Sequence, residues 1–192
     1  GYCPSSVASS VQVADDGSIF VAGYIDCPFD FDEGSGLFTL QPGSFIAKYS
    51  AAGTIDWVKG IGGGQYQAGP DMVLINDAVV VVGSFTGSFD FDPGPGVHTM
   101  TGSRDAFILK LDLNGVFINA WEFDNNGSPF SWGVRPHSVT TNSAGDIIVG
   151  GLFGDIIDFD PSPSVNEISS NGNADGFLCR LSNEGDFICA AE

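Results

Sequence analysis

Positive charge is scarce in this chain: 6 Lys and Arg stand against 24 Asp and Glu among 192 residues, for a formal net charge of −18. Phosphate-rich partners need clustered cations, so nucleic acid and insertion at anionic membrane surfaces are excluded as expectations. No apolar run reaches the roughly 18 to 20 residues of a transmembrane helix. A charged-then-apolar leader is also missing, and the chain opens at Gly1 without Met, as expected of a processed mature protein or a segment of something longer. Neither G-x-S-x-G nor H-E-x-x-H occurs, and the two histidines, His98 and His137, belong to no triad or metal-His arrangement. The four cysteines, Cys3, Cys27, Cys179 and Cys189, lack C-x-x-C spacing. Their even number points to disulfides and an oxidising, extracellular or cell-surface setting.

What is abundant is β composition: 43% hydrophobic residues, 16 Phe, 27 Gly and 10 Pro. The chain is ordered in threefold fashion. FDFDEGSG from Phe29, FDFDPGPG from Phe89 and IDFDPSPS from Ile157 are each preceded by an apolar run: SIFVAGYI from Ser18, AVVVVGSF from Ala78, DIIVGGLF from Asp146. Each is followed by a Phe-led run, FIAKY from Phe45, FILKL from Phe107 and FLCRL from Phe177. A strand before this block (Ser9–Val13, Asp71–Ile75, His137–Thr141) and one after it (Thr54–Ile61, Val116–Phe123, Phe187–Ala191) complete four per copy. The expected fold class is all-β: three four-stranded antiparallel β-propeller-type blades, in one domain over 1–192 with repeats near 1–64, 65–128 and 129–192.

This arrangement, an apolar strand with V-x-G, then DFDPG, then DAFILKLD, resembles the seven-bladed β-propeller (SBBP-type) repeat of secreted and cell-surface bacterial proteins. The second copy matches best. The first has Gly43 and Ser44 where the others carry Asp before the Phe-led strand, and the third replaces two loop glycines by Ser162 and Ser164. Three blades cannot close a ring, which takes four to eight, so the chain is an incomplete ring or a repeat array. Self-association, as a closed oligomer or a filament, or further blades in a longer chain would complete it.

Within FDFD, alternation along an extended backbone places the two Asp on one face. Asp30 with Asp32, Asp90 with Asp92, and Asp158 with Asp160 are therefore candidate Ca²⁺ ligands, with Asp105 and Asp175 as further oxygens. The competing reading is that these carboxylates accept backbone N–H groups and hold tight loops. Three identical acidic pairs argue against a catalytic pair, which would be single and asymmetric. A cation recurs in the third strand as Lys48, Lys110 and Arg180, expected to partner an Asp in each blade. Trp57, Trp121 and Trp132 read as packing residues, and Asn126 heads an N-glycosylation triplet. Hairpin symmetry around Ser182–Asp186 and around Ala14–Gly17 predicts the disulfides Cys179–Cys189 and Cys3–Cys27. The expected protein is thus a non-enzymatic extracellular structural or adhesive module, calcium-binding and self-assembling; the alternative is a glycan-binding propeller.

Overall fold

The computed structural model describes residues 6–32, 34, 36, 38–61, 70–125 and 132–192. Among them there is no helix, and all regular structure is strand. Three four-stranded antiparallel sheets follow one another along the chain. The first consists of β1 (Val7–Val13), β2 (Ile19–Ile25), β5 (Gly43–Tyr49) and β6 (Ile55–Gly60), in that spatial order. A small arm, β3 (Phe29–Asp30) with β4 (Thr39–Leu40), leaves between its second and third strands. In the second sheet, β7 (Asp71–Ile75), β8 (Ala78–Asp90), β9 (Thr99–Asp112) and β10 (Phe117–Phe123), the arm is continuous with the two long central strands. The third contains β11 (Gly133–Thr141), β12 (Ile147–Gly154), β15 (Asp175–Leu181) and β16 (Phe187–Ala191), with an arm of β13 (Ile156–Asp158) and β14 (Glu167–Ser169).

Register along the central strands makes the copies superimposable in sequence. Gly23, Gly83 and Gly151 pair with Phe45, Phe107 and Phe177 respectively. A Cβ on Gly83 would lie 2.7 Å from the Phe107 ring, so the glycine is what lets the ring lie across the neighbouring strand. The second Phe of each Asp motif then folds back onto that ring: Phe31 on Phe45 at 4.7 Å, Phe91 on Phe107 at 5.0 Å, Phe159 on Phe177 at 4.9 Å. Aromatic pairs of this kind bury large apolar area and fix the arm against its own sheet.

The sheets pack face to face. Phe20, Ala22 and Ile46 of the first meet Val79, Val81, Phe107 and Leu109 of the second in one core. The opposite face of the second sheet, with Val80, Val82 and Ile108, meets Val149, Phe177, Cys179 and Leu181 of the third in another. Alternation sends Val79 and Val81 one way and Val80 and Val82 the other, which is why AVVVV is apolar at every position rather than at every second one.

Hairpin symmetry misplaces one pair of cysteines. In all three sheets the ladder between third and fourth strands slips by one residue, after Tyr49–Ile55, Leu111–Phe117 and Leu181–Phe187, leaving Asp56, Ile118 and Ile188 as extra residues. Cys179 therefore pairs with Ala190, and Cys189 with Arg180. The side chains point to opposite faces, Cys179 into the core and Cys189 to the outside, and both are free thiols. The expected Cys179–Cys189 disulfide is corrected accordingly. Cys3, the other half of the pair expected for Cys27, lies outside the described residues, as does Asn126.

Candidate metal centre and the aspartate loops

The three Asp motifs sit at the tips of the arms and make the same hydrogen bonds. Asp30 Oδ1 accepts the backbone N–H of Asp32 and of Phe38, at 3.2 and 3.0 Å. Asp90 does so from Asp92 and His98, and Asp158 from Asp160 and Asn166. The second carboxylate turns inward over the loop: Asp32 Oδ1 accepts from Gly34, Asp92 from Gly94 and Asp160 from Ser162. A Cβ on Gly96 would stand 2.1 Å from Asp92 Oδ2, so the glycine makes room for the acid. The third copy carries Ser164 at that position, and the Ser162 hydroxyl accepts the Ser164 N–H instead. The amides of His98 and Asp92 hold the Asp90 carboxyl below the usual carboxylate range. These six aspartates are thereby brought together in pairs, each pair engaged in closing its own loop.

Asp105 belongs to a different arrangement. It lies in β9, 1% exposed, and one of its oxygens comes within 4.8 Å of carboxylate oxygens of Glu122 in β10 and of Asp124 just beyond it. Among the described residues this is the one group of three or more acidic, His or Cys side chains that converge in this way. Asp105 accepts the N–H groups of Ser103 and Asn125, both at 3.3 Å, and shares a hydrogen bond with Glu122. Burial, the Asp105 hydrogen bond and the charges of Asp105 and Asp124 push Glu122 up to about 8, and burial raises Asp105 as well, so the two carboxyls share a proton at neutral pH. Asn125, 1% exposed, donates its amide to the Ser103 carbonyl, and its buried Oδ1 has no hydrogen-bond partner. A buried acceptor of this kind costs free energy unless a donor or cation meets it. The three converging carboxylates form a hard, all-oxygen donor set, suited to Ca²⁺ or Mg²⁺ and not to a thiophilic metal.

Across the sheets, Asp175 and Glu192 of the third copy correspond to Asp105 and Glu122 by register. They are held differently: the Asn171 backbone N–H donates to Asp175, and the Asn171 side-chain amide donates to Glu192 at 2.7 Å. The first copy has glycine at both places, Gly43 and Gly60. Glu122, Asp124 and Asn125 escape a reading based on the threefold pattern because no other described copy repeats all three; the acidic i, i+2 pair after Trp121 is the signal that stands in the sequence.

The recurring cations do not share one role. Arg180 pairs with Asp146 through Nε at 2.8 Å and through Nη2. Lys110, nearly buried, donates to the Asn183 carbonyl and to its side-chain oxygen at 2.8 and 3.0 Å, and Lys48 lies over the Phe20 ring. The expected Asp partner is thus found for Arg180 alone among hydrogen bonds and ion pairs of the described residues. Trp57 and Trp121 pack at the joints between sheets, whereas Trp132 is exposed with the Arg135 guanidinium 5.1 Å from its ring centre. The chain matches no protein-family model and no curated protein.

Proposed function

We propose that this chain is a non-catalytic, extracellular structural or adhesive module of stacked propeller-type blades that takes Ca²⁺ at Asp105, Glu122 and Asp124. One observation carries the non-catalytic part: the aspartates of all three motifs make the same backbone hydrogen bonds, so the repeated acids serve as loop clamps. The ion belongs at the Asp105 cluster rather than at those pairs, because there three carboxylates converge within 4.8 Å of one another, and Asn125, whose backbone N–H binds Asp105, keeps a buried oxygen without a hydrogen-bond partner. The resemblance to SBBP-type repeats supports the secreted or cell-surface setting. A glycan platform at Trp132 is disfavoured by Arg135, which lies over its ring.

Thermal midpoints in EGTA and in millimolar Ca²⁺ test the ion. A ligand that binds only the folded state at one hundred times its Kd adds about 2.7 kcal/mol. The midpoint should rise for the native chain and stay put for Asp124→Asn with Glu122→Gln. An unchanged midpoint in the native chain removes the cation from the reading.

A further inference from the structure

We propose that a second copy of this chain docks end to end, the outward face of its third sheet meeting the outer face of the first sheet of its neighbour along the exposed first-strand and turn edge, and repeating the two joints inside the chain. The proposal rests on the repeat-array reading above and not on the cation.

Both internal joints join the same elements: the first-strand contacts recur at equivalent positions, and the turn glycine lies each time on a Trp of the preceding fourth strand, Trp121 standing two positions further along its strand than Trp57. At the first strands, Ser10 Oγ accepts the Met72 N–H at 3.3 Å, and one repeat later Asp71 Oδ2 accepts the Val139 N–H at 2.9 Å. At the turns between third and fourth strands, the next repeat's loop lies on the preceding repeat's fourth strand. Gly115 faces Trp57, whose Nε1 donates to the Leu113 carbonyl at 3.4 Å; Gly185 faces Trp121, and the Asn183 carbonyl accepts from Lys110. A Cβ on Gly115 would be 3.3 Å from Trp57, and one on Gly185 would be 2.1 Å from Trp121.

The two ends of the stack carry the halves of a third such joint. Gly53 is the equivalent turn glycine of the first repeat, and a Cβ there would meet nothing within 4 Å. Val11, equivalent to Met72 and Val139, is 61% exposed where they are 1% and 6%. At the other end Leu178 is 51% exposed, whereas its equivalents Ile46 and Ile108 are fully buried. Ser138 stands exposed at the position of Ser10 and Asp71, aligned to receive the Val11 N–H of a neighbour. Arg180 occupies the Lys110 position facing the neighbour's Ala51 carbonyl, and Cys189 the position of Trp57 facing its Gly53 turn. A contact between unlike faces is heterologous, and it generates either a closed ring or an open chain of copies.

Light scattering coupled to size exclusion tests this at physiological ionic strength, where salt screens the repulsion of two chains of charge −18. The native chain should exceed one chain in mass, as a two-chain particle or a series growing with concentration. Val11→Asp and Leu178→Asp, both at exposed positions, should each run as monomers with little change in thermal midpoint. Mixed in equal amounts they should form a two-chain particle, because each retains the face the other has lost. A monomeric native chain at millimolar concentration, a variant that still associates alone, or a mixture that stays monomeric overturns the proposal. As a second readout, Ala52→Cys should form an intermolecular disulfide with Cys189 of a neighbour under mild oxidation, and should fail to do so once Cys189→Ser is added. Repeating the runs in EGTA separates the two readings: association without a calcium response overturns only the cation.

Discussion

Raising the pH from about 5 to about 8 in EGTA should destabilise the protein, through Glu122. Its carboxyl has an ordinary value of 4.5 and is pushed up to about 8 in the folded chain, first by burial and then by Asp105 and Asp124. The native state thus binds a proton that the unfolded chain has released across this range, and stability must fall as the pH rises through it. At about 1.4 kcal/mol per pH unit, the whole interval would be worth at most about 5 kcal/mol. Asp105 shares the proton and solvent reaches the edge of the site, which reduces the expected loss to about 2–3 kcal/mol, or roughly 5–10 °C in thermal midpoint for a domain of this size. Glu122→Gln, neutral at every pH, should flatten the decline. Millimolar Ca²⁺ should also flatten it, because the ion competes with the proton and gains affinity as the pH rises. Thermal or urea unfolding of both proteins from pH 5 to 8 measures the difference directly. A native chain whose stability is flat or rising over that range, or a Gln variant that declines equally, refutes the argument.

Gly185→Ala should cost about 2–4 kcal/mol, since its φ of +91° disfavours a side chain and the new methyl would strike Trp121; Gly53→Ala, with φ +83° and open space, should cost about 1 kcal/mol, and paired urea titrations compare them. Lys110→Met should cost about 1–2 kcal/mol in the same assay by removing the donor that ties the second sheet to the Asn183 turn. In the native protein an alkylating reagent should modify Cys189 quickly and Cys179 only on unfolding, as burial pushes the Cys179 thiol up to about 12; mass spectrometry of the two peptides reads the order, and equal rates would contradict the burial.

The threefold order can be read from residues alone because each copy carries the same local devices. Gly17, Gly53, Gly115, Gly145 and Gly185 all adopt positive φ in tight turns between runs of β-branched and aromatic residues, so strand limits follow from turn chemistry. What a pattern of residue types cannot supply is register. The slip at Asp56, Ile118 and Ile188 leaves no mark in composition, yet it sends Cys189 to the face opposite Cys179 and sets Cys189 beside Arg180. The Asp loops show a second kind of limit. D-x-D-x-G-x-G offers the same oxygens to a cation as to backbone amides, and only the position of the N–H groups of Phe38, His98 and Asn166 distinguishes the two uses.

Register also hides the acidic cluster from the threefold pattern. Asp105 and Glu122 are 17 residues apart in the chain, and they meet because Phe107 pairs with Glu122 after the slip; without it Glu122 would lie on the other face of the sheet. Asp124 joins them because its backbone bridges to Asp158 in the arm of the next repeat, with N···O distances of 3.2 and 2.9 Å. The cluster is therefore a product of stacking as much as of one sheet. The Asp105 and Glu122 side chains share the Phe107 face, and it is through the Asp124–Asp158 bridge that binding would couple the ion to the joint between the second and third sheets, so removal of Ca²⁺ should loosen that joint before the joint between the first and second. Amide hydrogen exchange can resolve this: in EGTA, protection should fall first at Asp158 and Val139 and later at Met72. Uniform loss across both joints would mean that the ion, if bound, stabilises the stack only as a whole.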